Sequence, residues 1–266
     1  MPEVIETNVK ICEKCSRPSC VAIPGQHFMC KGCFLNNSLY KFRRSMKKEK
    51  YIDFDETIIL AYSGGVNSSC LIKFIQKQLN MKDQTHFQYN LIAVHVNDHF
   101  NETFLDKMND IMQTLKLPLH ILRPFPTEND VTFEDKLKLL AEYAEANNIK
   151  KVLLGSTGSH CSVNAFRYLI NGDPVNAVNS ATPKFVHNKT IFFNPLINFS
   201  AKEISLYHRF NNLESFNYDL RKLQNAKSVD KVIQDFIFKL QNIHDLTIPT
   251  INKTLQKVKT KSLTDS

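Results

Sequence analysis

Short apolar runs alternate with helix-period segments through the middle of this chain, and that alternation restricts its fold more than any other feature. Thr57 to Tyr62 reads as a strand, Ser63-Gly64-Gly65 as a turn, and Val66 to Leu79 as a helix carrying Cys70, Leu71, Phe74, Ile75 and Leu79. The pairing repeats with a strand at Leu91 to Val96 and a helix over Glu102 to Leu115. Leu119 to Leu122 is a third strand, and Pro124 and Pro126 make a loop of the stretch that follows. Phe133 to Ala146 is again helical, Lys151 to Gly155 is a fourth strand, and a helix runs from about Cys161 to Ile170. Strands separated by single helices pair in parallel, because the crossover helix must lie on a face of the sheet. The expected fold is therefore α/β: an open, mostly parallel sheet with helices on both faces.

Beyond Gly172 the spacing loosens. A short strand is expected near Ile191 to Phe193, interrupted at Pro195. Ser200 and Glu203 form a capping-box pattern for a helix reaching about Phe210. Ser228 is placed to cap a later helix whose apolar face is Val232, Ile233, Phe236, Leu240 and Ile243. The sequence divides into a head over residues 1–50, an α/β body over 51–245 and a basic tail over 246–266.

The 266 residues suffice for one large domain or two modest ones, and 42% apolar content fits a globular chain. No apolar run approaches the roughly 20 residues of a membrane helix. The opening MPEVIETNVK lacks the pattern of a secretory leader, so the cytosol is the expected compartment. Seven cysteines are an odd number, and four of them form two CxxC pairs, which suits a reduced metal-holding chain better than a disulfide framework.

Cys12-x2-Cys15 and Cys30-x2-Cys33 close a tetrahedral thiolate site, each pair converging from a tight knuckle. Zinc is the first choice because thiolates favour a soft cation, with an iron centre left open by spacing alone. Cys20 lies between the pairs as a substitute ligand, and His27 reads as a knuckle residue. Four ligands leave no open coordination position, so the expected role is structural.

Positive charge is concentrated beside this site. Lys10 to Lys50 contains ten basic and two acidic residues, a net +8 that equals the formal charge of the whole chain. Phe34 to Lys50 reads as a helix with Leu35, Leu39, Phe42 and Met46 on its packed side. Its outward residues Lys41, Arg43, Arg44, Lys47, Lys48 and Lys50 are the candidate contacts for nucleic-acid phosphate, the alternative being a solubilising face.

In the body, Ser63, Gly64, Gly65, Asn67 and Ser68 lie between strand and helix. Glycines there expose backbone N–H groups that hold an anion, and the serines add donors. The segment lacks both GxGxxG and GxxxxGK, so it is neither a dinucleotide fingerprint nor a Walker A loop. An ordinary sheet-to-helix loop is the alternative.

The stretch AYSGGVNSS resembles the PP-loop SGGxDS of the nucleotide-alpha-hydrolase-like ATP pyrophosphatases, with Asn67 where that group has aspartate. With CEKC, CKGC, the YKFR segment, LIAVHVNDH, KVLLGSTGSHCSVNAFRYLINGD and FFNPLINFSAKEISLYHRF in this order, the chain resembles the cytoplasmic tRNA 2-thiolation protein 2 family. That resemblance implies the adenine nucleotide alpha-hydrolase-like fold behind a zinc head, and work beside a catalytic thiolase-like subunit on the wobble uridine of tRNA. It also implies indirect links to a ubiquitin-like sulfur-carrier pathway, and ATP as a ligand.

The departures are equally specific. Catalytic relatives carry a GHNxDD-like segment after the fourth strand, where this chain reads Gly155, Ser156, Thr157, Gly158, Ser159, His160. They also place a CxxC pair before that strand and a further cysteine after it, whereas no cysteine lies between Cys70 and Cys161 here. The expectation is a subunit that is not an enzyme by itself and contributes tRNA binding and scaffolding. An active adenylating sulfurtransferase using Cys161, and a zinc-dependent scaffold without RNA binding, are the competing readings. His160 reads as a cap or surface residue, Cys161 as a small buried one, and His95, Asp98 and His99 as a weak cluster at the end of the second strand.

Overall fold

The computed structural model describes residues 10–22, 28–48, 52–53, 55–80, 89–97, 102–123, 131–216, 229–244 and 246–264. His27, Lys50, Asp98, His99, Ser228 and most of the expected proline-rich loop lie outside the described residues. A two-stranded antiparallel hairpin, β1 (Val21–Ala22) and β2 (Phe28–Met29), precedes α1 (Lys31–Lys48). The body then runs β3 (Glu56–Ala61), α2 (Val66–Leu79), β4 (Tyr89–Val96), α3 (Glu102–Thr114), β5 (Leu119–Leu122), α4 (Phe133–Ala146), β6 (Lys151–Leu153) and α5 (Gly158–Ile170). It continues through α6 (Pro174–Ser180), β7 (Lys184–His187), β8 (Thr190–Phe193), α7 (Ala201–Phe210), α8 (Val229–Ile243) and α9 (Thr247–Thr264).

The six strands of the body lie in the order β5-β4-β3-β6-β8-β7, parallel except for β7, which pairs antiparallel with β8 at one edge. The expected open, mostly parallel α/β sheet is thus present. Successive residues of β3 serve opposite faces: Ile58 and Leu60 enter the core shared with α1, α2 and α7, while Ile59 enters the core shared with α4. The chain extends the sheet from β3 through β4 to β5, then returns to place β6 on the other side of β3. This reversal opens a crevice beyond the carboxyl ends of β3 and β6.

Three elements differ from the sequence expectation. The loose stretch after Gly172 contains α6, whose start is set by Asp173 accepting from the Asn176 amide and by Pro174 in the first turn. The edge hairpin β7–β8 turns on Asn188 and Lys189, both left-handed at φ 46° and 67°, a turn chemistry that matches strand twist. Helix α5 begins at Gly158 rather than near Cys161, because the Thr157 hydroxyl accepts from the His160 amide as its N-cap. The Ser200–Glu203 capping box is present as expected.

One hydrophobic core spans the boundary expected near residue 50. Phe42 stacks on Phe74 of α2 at 5.0 Å, Phe34 meets Phe210 edge-on at 5.7 Å, and Phe74 stacks on Tyr207 at 3.9 Å. The segment expected as a tail is helical through Thr264, and its first half is anchored. Ile248 is buried with Val163, Ile233 and Ile237, and buried Asn252 donates to the Gly158 carbonyl and accepts from Ser162. On α8, Ile233 and Ile237 face inward, whereas Val232, Phe236 and Ile243, expected in the core, are exposed. No helix among the described residues is long and apolar enough to cross a membrane.

Candidate functional site

The head brings its four expected ligands together. The Sγ atoms of Cys12, Cys15, Cys30 and Cys33 all lie within 4.8 Å of one another, and those of Cys15 and Cys30 are 3.5 Å apart. With metal–sulfur bonds near 2.3 Å, tetrahedral thiolates around one ion sit about 3.8 Å apart, so the group fits a single ion. Cys20, the expected substitute, is exposed and stands outside the group.

Knuckle geometry explains the convergence. Cys12 accepts from the amides of Cys15 and Ser16 at 3.3 and 2.8 Å, Ser16 takes the left-handed φ of 56°, and the Cys12 amide donates to the Arg17 carbonyl. The second pair brackets the start of α1, Cys30 immediately before it and Cys33 in its first turn, where the Cys33 amide reaches the Cys30 sulfur at 3.5 Å. Backbone N–H groups, that of Cys30 foremost, lower the Cys12 thiol to about 6, and the Arg17 amide lowers Cys15. Cys33, donating to the Cys15 sulfur and partly buried, is pushed up to about 12. Thiolates packed this closely repel one another, and a cation relieves that repulsion.

The basic helix leaves the metal knuckle directly. Lys14 bonds Asn37 at 2.9 Å, fastening the first knuckle to α1. Of the six expected phosphate contacts, Arg44, Lys47 and Lys48 are exposed and Arg43 is half-exposed. Lys41 is turned toward the body, 2.7 Å from the buried carboxylate of Glu203 and over the Phe199 ring. Its charge fixes the head to α7, a use that helical spacing does not reveal.

At the crevice, Ser63, Gly65, Asn67 and Ser68 line a cleft of about 380 Å³ with residues from the ends of β4, α4 and the loop after β6. Gly64 takes φ 75°, and a Cβ there would meet the Phe104 and Phe216 rings at 3.0 and 3.1 Å, so the turn requires glycine. Gly155 permits the other close approach: a Cβ would stand 3.1 Å from the Ser68 amide nitrogen. Gly65 precedes α2 without a side-chain cap, leaving the helix start turned to the cleft. Ser63 and Ser68 hydroxyls lie 3.2 Å apart, and the Phe216 amide donates to the Gly64 carbonyl at 2.8 Å.

Sequence reasoning missed Lys136 and the aromatic wall of Phe104 and Phe216, and it placed His160 only as a cap or surface residue. Lys136 brings a cationic nitrogen to the cleft, and His160 an imidazole that desolvation, with Arg167 and Lys136 nearby, holds toward its neutral form. Lys136 borders the apolar stripe Phe133, Leu137 and Leu140, a position that could have marked it. His95 is buried, its Nδ1–H donating to the Tyr62 carbonyl at 2.9 Å, which orients the ring structurally.

The cleft's described lining contains no carboxylate. Asn67 stands at the turn, and Ser159 is buried in the first turn of α5, beside the lining residue His160 but not itself part of the lining. Backbone N–H groups, hydroxyls and Lys136 suit phosphate, but a magnesium ion finds no hard acidic ligand among these residues. Cys70 and Cys161 are both buried, pushed up to about 12 by desolvation, and absent from the lining. A thiol in that state is a poor nucleophile and a poor metal ligand.

No protein-family model matches the chain. It is 23% identical over 274 residues to the cytoplasmic tRNA 2-thiolation protein 2 of Dictyostelium discoideum, covering 88% of this chain and 52% of that protein. It is 28% identical over 123 residues to the cytoplasmic tRNA 2-thiolation protein 2-A of Xenopus laevis, covering 42% of this chain and 24% of that protein. The chain therefore spans about half the length of the first relative. Among solved structures, the U34-tRNA thiolase NcsA from Methanococcus maripaludis, with its 4Fe–4S cluster, matches with a TM-score of 0.77 and 16% identity. That match covers 94% of this chain and 87% of the other, and shows a shared fold.

Proposed function

From its place as a relative of the cytoplasmic tRNA 2-thiolation protein 2 family with the fold of a PP-loop thiolase, we propose that this chain is a non-catalytic subunit in cytosolic tRNA thiolation. It binds tRNA and scaffolds a thiolase-like partner that performs the chemistry at the wobble uridine. The observation that carries the reading is the composition of the cleft. An anion-holding turn remains at the switch point, while the described lining offers no carboxylate for magnesium and no thiol for sulfur.

Adenylating a uridine carbonyl requires charge neutralisation on transferring phosphates, and sulfur insertion requires an activated sulfur carrier. Lys136 and the turn serve the first need in part, binding an anion or nucleotide without completing a metal site. Neither buried cysteine serves the second. The four-cysteine head holds zinc, a choice supported by four thiolates converging on one point with no position left for substrate. It orients α1, whose Arg43, Arg44, Lys47 and Lys48 meet RNA phosphate, with Lys50 just beyond the described helix.

Reconstitution tests the reading. Adding the metal-loaded chain to the thiolase-like partner, sulfur donor, ATP and tRNA should raise 2-thiouridine formation at least tenfold over the partner alone. Equal product without this chain, or failure of the two proteins to co-elute, would overturn it.

A further inference from the structure

One face of α1 carries an exposed stripe. Among the exposed residues of α1, which also include Lys31, Gly32 and Lys48, Asn36, Tyr40, Arg44 and Lys47 are spaced by four, four and three, the interval that stacks side chains on one helical face. The opposite face holds buried Phe34, Phe42 and Met46. Tyr40 does not belong to that packed set: it is 65% exposed and stands one turn from Arg44. Each four-residue step advances about 6 Å along the axis, comparable to one nucleotide of extended backbone.

A large aromatic ring between an amide and two cations is suited to an unpaired nucleobase. The ring offers a stacking face, the cations hold phosphates on either side, and Asn36 reaches a base edge. A duplex offers no such face, because its bases are already stacked. The Lys14–Asn37 bond holds this stripe against the metal knuckle, so the ring is presented on a fixed support.

We propose that Tyr40 is a base-stacking residue and that the stripe Asn36–Tyr40–Arg44–Lys47 recognises single-stranded RNA, specifically an unpaired base of an RNA loop. The proposal rests on the RNA-binding reading above and sharpens it from phosphate attraction to a preference for loop over duplex.

The test uses the full metal-loaded chain, a hairpin RNA carrying 2-aminopurine in its loop, and a blunt duplex of equal length. The unaltered chain should prefer the hairpin roughly tenfold and change the 2-aminopurine fluorescence on binding. Tyr40→Ala should lose about that factor for the hairpin alone, with the salt slope unchanged, and Tyr40→Trp should restore it. Arg44→Gln should instead weaken both RNAs and lower the slope by about one. Equal hairpin affinity in Tyr40→Ala and the unaltered chain overturns the stacking role while leaving RNA binding intact. Absence of RNA binding by the unaltered chain overturns both readings. Loss of partner capture in Tyr40→Ala with RNA affinity unchanged assigns the ring to a protein interface and also overturns the proposal.

Discussion

The four-cysteine head and the cleft beyond β3 are both places where this chain presents groups suited to an ion, and they differ in completeness. In the head all four candidate ligands converge, their spacing suits one ion, and backbone amides favour thiolate at Cys12 and Cys15. In the cleft there are a glycine turn, a helix start and a lysine, and the described lining has no acid to hold a divalent cation. The glycine turn is also required by packing, Gly64 against Phe104 and Phe216 and Gly155 against Ser68, so its shape does not depend on an ion. The described groups differ accordingly: four converging thiols in the head; amides, hydroxyls and a lysine in the cleft.

Breaking the head should have the largest effect. Cys30→Ser with Cys33→Ser, or prolonged chelation, should release the metal and lower the melting temperature by roughly 10 °C or more, since structural metal binding is folding free energy. tRNA affinity should fall in parallel, which calorimetry and metal analysis on the same samples would check. A melting temperature unmoved by metal loss would remove the head's structural role.

Phe42→Ala asks whether the head and body share one core. Its ring is fully buried against Phe74, so truncation should cost about 3–4 kcal/mol in urea unfolding. The transition should remain single, because the α1 side of the interface contributes to the same cluster as β3 and α2. Two resolved transitions would instead divide the molecule at the boundary near residue 50.

Gly155→Ala tests the cleft with a smaller perturbation. The added methyl would press on the Ser68 amide, and the expected loss is about 1–2 kcal/mol with tRNA affinity within twofold of the unaltered chain. A large drop in tRNA binding would move RNA recognition from α1 to the cleft.

Much of the fold was legible because its rules are local. Apolar strands followed by single helices specify parallel pairing, and Ser200 with Glu203 marks a helix start that the structure reproduces. The convergence of Cys12, Cys15, Cys30 and Cys33 was legible from spacing alone. What escaped required tertiary information: Lys41 reads as one more outward lysine until Glu203, distant in sequence, is placed beside it. Lys136 joins the cleft only after α4 packs across the sheet, and β7 is a strand because β8 offers it an edge. Val232 and Phe236 share the apolar periodicity of Ile233 and Ile237, but only the latter two are buried, Phe236 touching Phe166 of α5 from the exposed side, a distinction that periodicity does not encode.

The most direct test is pyrophosphate release from ATP by the isolated, metal-loaded chain with magnesium and unmodified tRNA. The arrangement of the cleft predicts no release above a protein-free control and no 2-thiouridine in the recovered RNA. Sustained, tRNA-dependent release that disappears on Ser63→Ala would show that the cleft completes the chemistry its described side chains lack, and would contradict the account.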